Sequence, residues 1–240
     1  MKQIRDFSDK RLKGYCIHCG EWINNIESNQ DHIPTKGLLD EPYPENLPTL
    51  KICQRCNSSF SKDEEYLIAF LGTVLSGDTK PDKQIFGSAR RILQHNEKLR
   101  KRINCARSEV SRNNGEKLLV WEPEHDRIAS VILKNARGHL FYELNDIMIE
   151  KPSSVWVKPL SIMTTEDSKI FFDHEIVDGW PEVGSRMMSR IISGDDIDGQ
   201  WIIVQKEVYM YAIIHSSEVV IVKSIIRNYL ATEVIWDISE

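Results

Sequence analysis

Cys16-Ile17-His18-Cys19, Gln30-Asp31-His32-Ile33-Pro34-Thr35-Lys36-Gly37, Glu45-Asn46-Leu47 and Ile52-Cys53-Gln54-Arg55-Cys56-Asn57-Ser58 follow one another near the start of the 240-residue chain. Each Cys-x-x-Cys sets two thiolates on one tight knuckle, and two knuckles complete a tetrahedral zinc site with Zn–S bonds of roughly 2.3 Å. Two matched pairs favour metal binding over thiol redox chemistry. Thirty-three residues separate Cys19 from Cys53, more than a zinc ribbon needs, so a folded element is expected inside the loop. The fifth cysteine, Cys105, sits in a charged helical stretch with no cysteine near it in sequence. An odd count argues against a disulfide framework and for a reducing compartment. The first residues, Met1-Lys2-Gln3-Ile4-Arg5-Asp6-Phe7, lack the apolar core of a secretory signal, and no apolar run is long enough for a membrane span. A cytoplasmic protein with no membrane partner is expected.

The enclosed residues resemble the HNH endonuclease family, also called ββα-metal or His-Me finger nucleases, in its zinc-stapled form. The likeness covers about residues 14 to 65 and rests on the Asp31-His32 pair, the Asn46-Leu47 pair and Asn57 after the last cysteine, all in the family's order. The third position of the family's name motif is often histidine, and here it is Asn57. The resemblance implies a metal-dependent DNA endonuclease. It gives Asn46 a supporting role in tying down the long loop that carries His32, and it brings Lys36 and Lys62 forward as phosphate contacts.

The chemistry fits these residue types. Phosphodiester hydrolysis needs a deprotonated water, neutralised phosphate charge and a stabilised leaving oxygen. A histidine near its reference pKa of about 6.5 serves as base at neutral pH, and a divalent ion serves as Lewis acid. His32 is the expected base, with Asp31 and the Asn57 oxygen expected to hold Mg²⁺ or Mn²⁺. Neighbouring strand residues face opposite ways, so Asp31 and His32 are expected where the strand gives way to the loop. Zinc is expected to act as a structural staple, because a module of this size buries too little apolar surface to hold a long loop. Asn57 adjoins Cys56, so the same staple would fix it relative to the His32 loop.

Net charge is −5, unpromising for a nucleic-acid protein, but it is unevenly spread. Residues 88–112 carry +6 and residues 113–240 carry −9. Arg90, Arg91, Lys98, Arg100, Lys101, Arg102, Arg107 and Arg112 recur beside an apolar series at helical spacing, Ile85, Ala89, Ile92, Leu99 and Ile103. Arg90, Arg91, Lys98 and Lys101 are thus nucleic-acid candidates, against the ordinary alternative of a solvated helix face.

The fold class expected is α+β: a zinc-stapled ββα-metal finger over residues 1–76, then a helical segment and a mixed, strand-rich domain over 83–240. In detail the pattern predicts a hairpin over 15–33, a helix over 57–76 and a linker at 77–82. A helix or helix pair is predicted over 83–112, a turn at Asn113-Asn114-Gly115, and a helix from Asp126 to Asp146 broken near Gly138. Strands are predicted over 155–162, 170–176, 201–214 and 218–225, with a hairpin turn at Ser216-Ser217. No spacing binds His139, Asp173 or His174 into a second site, and Trp156, Trp180, Trp201 and Trp236 read as core or interface aromatics. The second half is left with three roles: binding target DNA, binding a partner protein, or homodimerisation. A restriction or anti-phage role is a fold-level association only. The competing readings are a non-catalytic zinc module that binds nucleic acid or a partner, and an RNase with the same active centre.

Overall fold

Thr49-Leu50-Lys51-Ile52-Cys53 alternates polar and apolar residues as a half-buried strand should, and it recruits a more polar partner. In this computed structural model, which describes residues 1–8, 11–111, 117–172 and 180–238, β1 (Ser28–His32) pairs antiparallel with β2 (Thr49–Cys53). The register runs from Ser28 opposite Cys53 to His32 opposite Thr49. Helix α1 (Gln54–Ser76) starts at the next residue. The hairpin expected over 15–33 is replaced by this pairing. The first knuckle closes on itself instead: Gly20 N–H donates to the Cys16 carbonyl at 2.8 Å and Cys16 N–H to that of Glu21 at 2.8 Å. A single bridge joins Tyr15 and Trp22.

The chain divides into two compact units, residues 1–39, 43–59 and 132–240 in one, residues 40–42 and 60–131 in the other. The boundary expected at 76–83 falls inside the second unit. In that second unit the run Tyr66 to Leu71 of α1 is buried all round. Gly72 lets Gln84 and Ala89 approach, since a Cβ there would lie 2.4 Å from that of Ala89. The basic stretch forms two helices, α2 (Gly87–His95) and α3 (Glu97–Cys105), with the Asn96 side chain capping α3 through Leu99 N–H. The rest of that stretch is strand: β3 (Arg107–Ser111) pairs with β4 (Lys117–Trp121). Arg112 and the turn expected at Asn113-Asn114-Gly115 lie outside the described residues.

Helix α4 (His125–Leu144) is unbroken at Gly138. The glycine provides clearance, because a Cβ at 138 would lie 2.3 Å from Ile33 Cδ1. In the first unit the C-terminal part of this helix is the core. Phe141 joins Cys16, Ile17, Ile23, Ile33, Leu50, Ile52 and Cys53 in one apolar cluster.

The remainder of the first unit carries a six-stranded antiparallel sheet. Its strands are β5 (Ser154–Pro159), β6 (Ile197–Asp198), β7 (Trp201–Gln205), β8 (Tyr209–His215), β9 (Val219–Ile226) and β10 (Leu230–Asp237), in the order β5-β10-β9-β8-β7-β6. The expected strand 201–214 is two strands, β7 and β8, joined through Glu207 at positive φ, and β10 was not foreseen. The strand expected at 170–176 is replaced by helix α5 (Thr165–Phe172), the remainder of that range lying outside the described residues with Asp173 and His174. A reciprocal cap starts α5, Asp167 N–H donating to Thr164 Oγ1 at 3.0 Å and Thr164 N–H to Asp167 Oδ2 at 2.9 Å. Helix α6 (Arg186–Ser193) is capped by Ser185 and ended by Gly194 in the left-handed region.

Candidate functional site

The four thiols of Cys16, Cys19, Cys53 and Cys56 lie within 4.8 Å of one another. Cys19 Sγ and Cys53 Sγ are 3.7 Å apart, close to the roughly 3.8 Å edge of a tetrahedron with zinc–sulfur bonds of about 2.3 Å and far longer than a disulfide of about 2.05 Å. Cys56 N–H points at Cys53 Sγ at 3.4 Å, a contact that favours the thiolate. Burial first, then the neighbouring thiols, push the Cys56 thiol up; a bound cation would reverse this by claiming the thiolates. The donor set is therefore one that can hold a metal such as zinc. Arg55 is exposed and bonded to Glu21 at 3.0 Å. His18, within the first knuckle, is buried.

His32 closes β1 and is half-buried. Burial first and the Lys36 charge second hold its imidazole below the ordinary value, with Asp31 acting in the opposite direction. These influences favour the uncharged ring, the form able to accept a proton. Asp31 sits one residue earlier on the regular strand, opposite Leu50, and is buried. Alternation turns it to the other face, where Oδ1 accepts a hydrogen bond from Lys134 Nζ at 2.8 Å. The two side chains are 9% and 1% exposed, a buried ion pair.

Lys134 also reaches Thr35 Oγ1 at 3.4 Å, and Asn135 Oδ1 accepts from both Thr35 N–H and Thr35 Oγ1, each at 3.0 Å. One turn of α4 thus grips the segment that follows His32. This cluster was missed in the sequence, since its members lie about a hundred residues apart and nothing local marks Lys134 or Asn135.

Asn57, half-buried, lies one residue past Cys56 in the first turn of α1. Asn46 Nδ2 donates to the Met1 carbonyl at 3.0 Å, while the end of the loop is tied by Ile33 N–H to the Pro48 carbonyl at 2.9 Å. Lys36 is exposed with its ammonium 4.3 Å from the Tyr43 ring centre.

In the second unit Lys62 is exposed and its carbonyl accepts from Arg127. Of the basic side chains there, Arg91 is bonded to Glu41 at 3.0 Å, Lys101 to Glu97 at 2.9 Å and Arg102 to Glu124. Arg90 is exposed with its guanidinium on the Gln84 carbonyl, and Lys98 is exposed. Part of the positive charge is therefore balanced within the unit.

His139 is fully buried, stacked on Tyr211 at 3.7 Å and bonded to Tyr209 at 3.1 Å. Beside it Glu143 receives the Arg190 guanidinium, 3.1 Å to each oxygen, and the Tyr211 hydroxyl at 2.6 Å. Trp236 is buried, Trp156 and Trp201 pack on Phe171, and Trp180 is exposed. No helix among the described residues is long and apolar enough to cross a membrane. Compared with models of protein families, with curated proteins and with solved structures, the chain finds no match.

Proposed function

We propose that the chain is an HNH-type endonuclease acting on DNA, with the zinc-bearing β1-β2-α1 segment as a ββα-metal finger and His32 as general base. The observation that carries the reading is His32 itself: half-buried at the end of β1, on the strand whose partner leads directly through Cys53 and Cys56 to Asn57.

In this reading the imidazole takes a proton from the attacking water. Burial keeps it uncharged, and the Thr35–Asn135 and Lys134 bonds hold the following loop so that the ring keeps its orientation. The four cysteines would hold zinc, and that staple would fix the start of α1, and with it Asn57, against β2. Asn57 and Asp31 are the oxygens that would hold Mg²⁺ or Mn²⁺; a bound ion would supply charge neutralisation on the phosphate. Asp31, turned to the face opposite His32, would have to give up its bond to the Lys134 ammonium to hold such an ion. Lys36, Lys62, Arg90, Arg91, Lys98 and Lys101 are the proposed backbone contacts.

That competition favours a second reading, a zinc module that binds nucleic acid or a partner protein without turnover, in which Asp31 is wholly structural. Incubating zinc-loaded protein with supercoiled plasmid and with structured RNA, with and without Mg²⁺ or Mn²⁺, beside His32→Ala, separates the cases. Metal-dependent nicking of plasmid, lost in the variant, is the expected result. Equal cleavage by both proteins removes His32 as base, cleavage of RNA alone makes the enzyme an RNase, and no cleavage of any substrate leaves the binding module.

A further inference from the structure

The paired strands β3 and β4 stand in solvent along almost their whole length, only Trp121 being half-buried. Ser108 faces Val120 and Val110 faces Leu118 across the pair, so these four share one side of the ribbon. On it Val110, Leu118 and Val120 are 49%, 36% and 37% exposed. A two-stranded ribbon with a bare apolar side is marginal in water and is stabilised by added strands. Among the described residues neither strand pairs with a third.

Hydrogen-bond phase and charge define what fits the edge. Glu122 N–H donates to the Ala106 carbonyl at 3.0 Å, one step beyond the paired residues Arg107 and Trp121. By antiparallel alternation Ser108 and Val110 bond inward to β4, while the N–H and C=O groups of Arg107, Glu109 and Ser111 point outward.

We infer that this edge is a homodimer interface, β3 pairing antiparallel with β3 of a second copy about a two-fold axis through Ser108. In that register the outward groups of Arg107 meet those of Glu109 of the second copy, and the reverse, so opposite charges face each other twice. Moving the axis to Arg107 or Glu109 sets like charges face to face. The β4 edge presents Lys117, Leu119 and Trp121 and no acid to answer the lysine. The pairing makes a four-stranded sheet and joins the two apolar sides into one. The Glu109–Lys117 ion pair, 3.3 Å long with both side chains more than half exposed, is weak enough to yield. A five-residue edge is small beside the ~800 Å² per partner of a standard interface, so the equilibrium depends on concentration.

Sedimentation equilibrium of the full zinc-loaded chain tests this. A monomer–dimer equilibrium is expected, weakened at least about tenfold by Arg107→Glu or by Glu109→Arg. The double swap R107E/E109R restores opposite charges at both contacts and with them the dimer. In a Cys105→Ser background, Ser108→Cys should cross-link across the axis on mild oxidation. Val110→Cys, on the same side of the ribbon, should not, because its counterpart lies about four residues along, roughly 13 Å away. A wild-type monomer at all concentrations, single swaps without effect, a double swap that fails to recover, or equal cross-linking at 108 and 110 would each overturn the inference.

Discussion

Replacing Lys134 by methionine isolates the contact that the sequence concealed. Methionine keeps most of the aliphatic stem, so the cavity contribution is small. What is lost is an ammonium 2.8 Å from Asp31 Oδ1 and 3.4 Å from Thr35 Oγ1, in a pair whose side chains are 1% and 9% exposed. An exposed pair of this kind is worth 0 to about 1 kcal/mol; removing one partner of a buried pair costs about 3–5 kcal/mol, because the other charge stays buried. With a urea dependence of about 2–3 kcal/mol per molar, the unfolding midpoint of the zinc-loaded protein should fall by roughly 1–2.5 M, followed by tryptophan fluorescence. Asp31→Leu combined with Lys134→Met removes both charges and should recover most of the loss. A single-variant shift below about 0.3 M, or a double variant no more stable than the single, would refute the claim that this pair holds β1 to α4. The same variant bears on function: if Asp31 is a ligand for the catalytic ion, freeing its carboxylate should lower the Mg²⁺ concentration needed for half-maximal cleavage.

Cys53→Ser should release zinc and unfold the finger together, since structural zinc contributes about 10 kcal/mol or more in small modules; full helicity and activity with no bound zinc would contradict the staple. Gly138→Ala should destabilise by about 1–3 kcal/mol through the clash with Ile33, outweighing the ~1 kcal/mol by which helices prefer alanine. Adding Ile33→Ala should relieve the clash term, and a Gly138→Ala protein as stable as wild type in urea would show that the helix has room. The Asp146 hydrogen bond, ahead of an opposing desolvation, raises the His215 pKa above its ordinary value. That contribution is complete below pH ~6.5 and fades as pH rises through the folded value; at half-exposed positions it amounts to a few tenths of a kcal/mol. Asp146→Asn should lower the His215 midpoint in an NMR titration, and an unchanged curve would exclude the pair as its cause.

The four-cysteine cluster was legible in the sequence because its spacing is local: two knuckles of fixed length, with β2 running from the loop straight into the second. Lys134 was not, because a lone lysine in a helix announces no burial and its partners lie about a hundred residues away. Gly138 read as a break when it is a point of close approach, two meanings that a single glycine in a helical pattern does not distinguish. Helix α5 left a usable signal that β-propensity obscures: Thr164-Thr165-Glu166-Asp167 is a capping sequence, while Ile170-Phe171-Phe172 after it reads as strand. The second knuckle's pairing partner was hidden for another reason, since Ser28-Asn29-Gln30 has almost no strand character of its own and is ordered by β2.

The last three turns of α4 face two ways. Lys134, Asn135, Gly138 and Phe141 back the segment that carries the four cysteines, while His139 and Glu143 are locked to Tyr209, Tyr211 and Arg190 of the large sheet and its helix. The amino-terminal segment is consequently no portable cassette. Excised at residue 76, it would shed its apolar backing and lose the Lys134 ammonium from the Asp31 carboxylate, so a minimal fragment must carry the distant helix along with the thiolates.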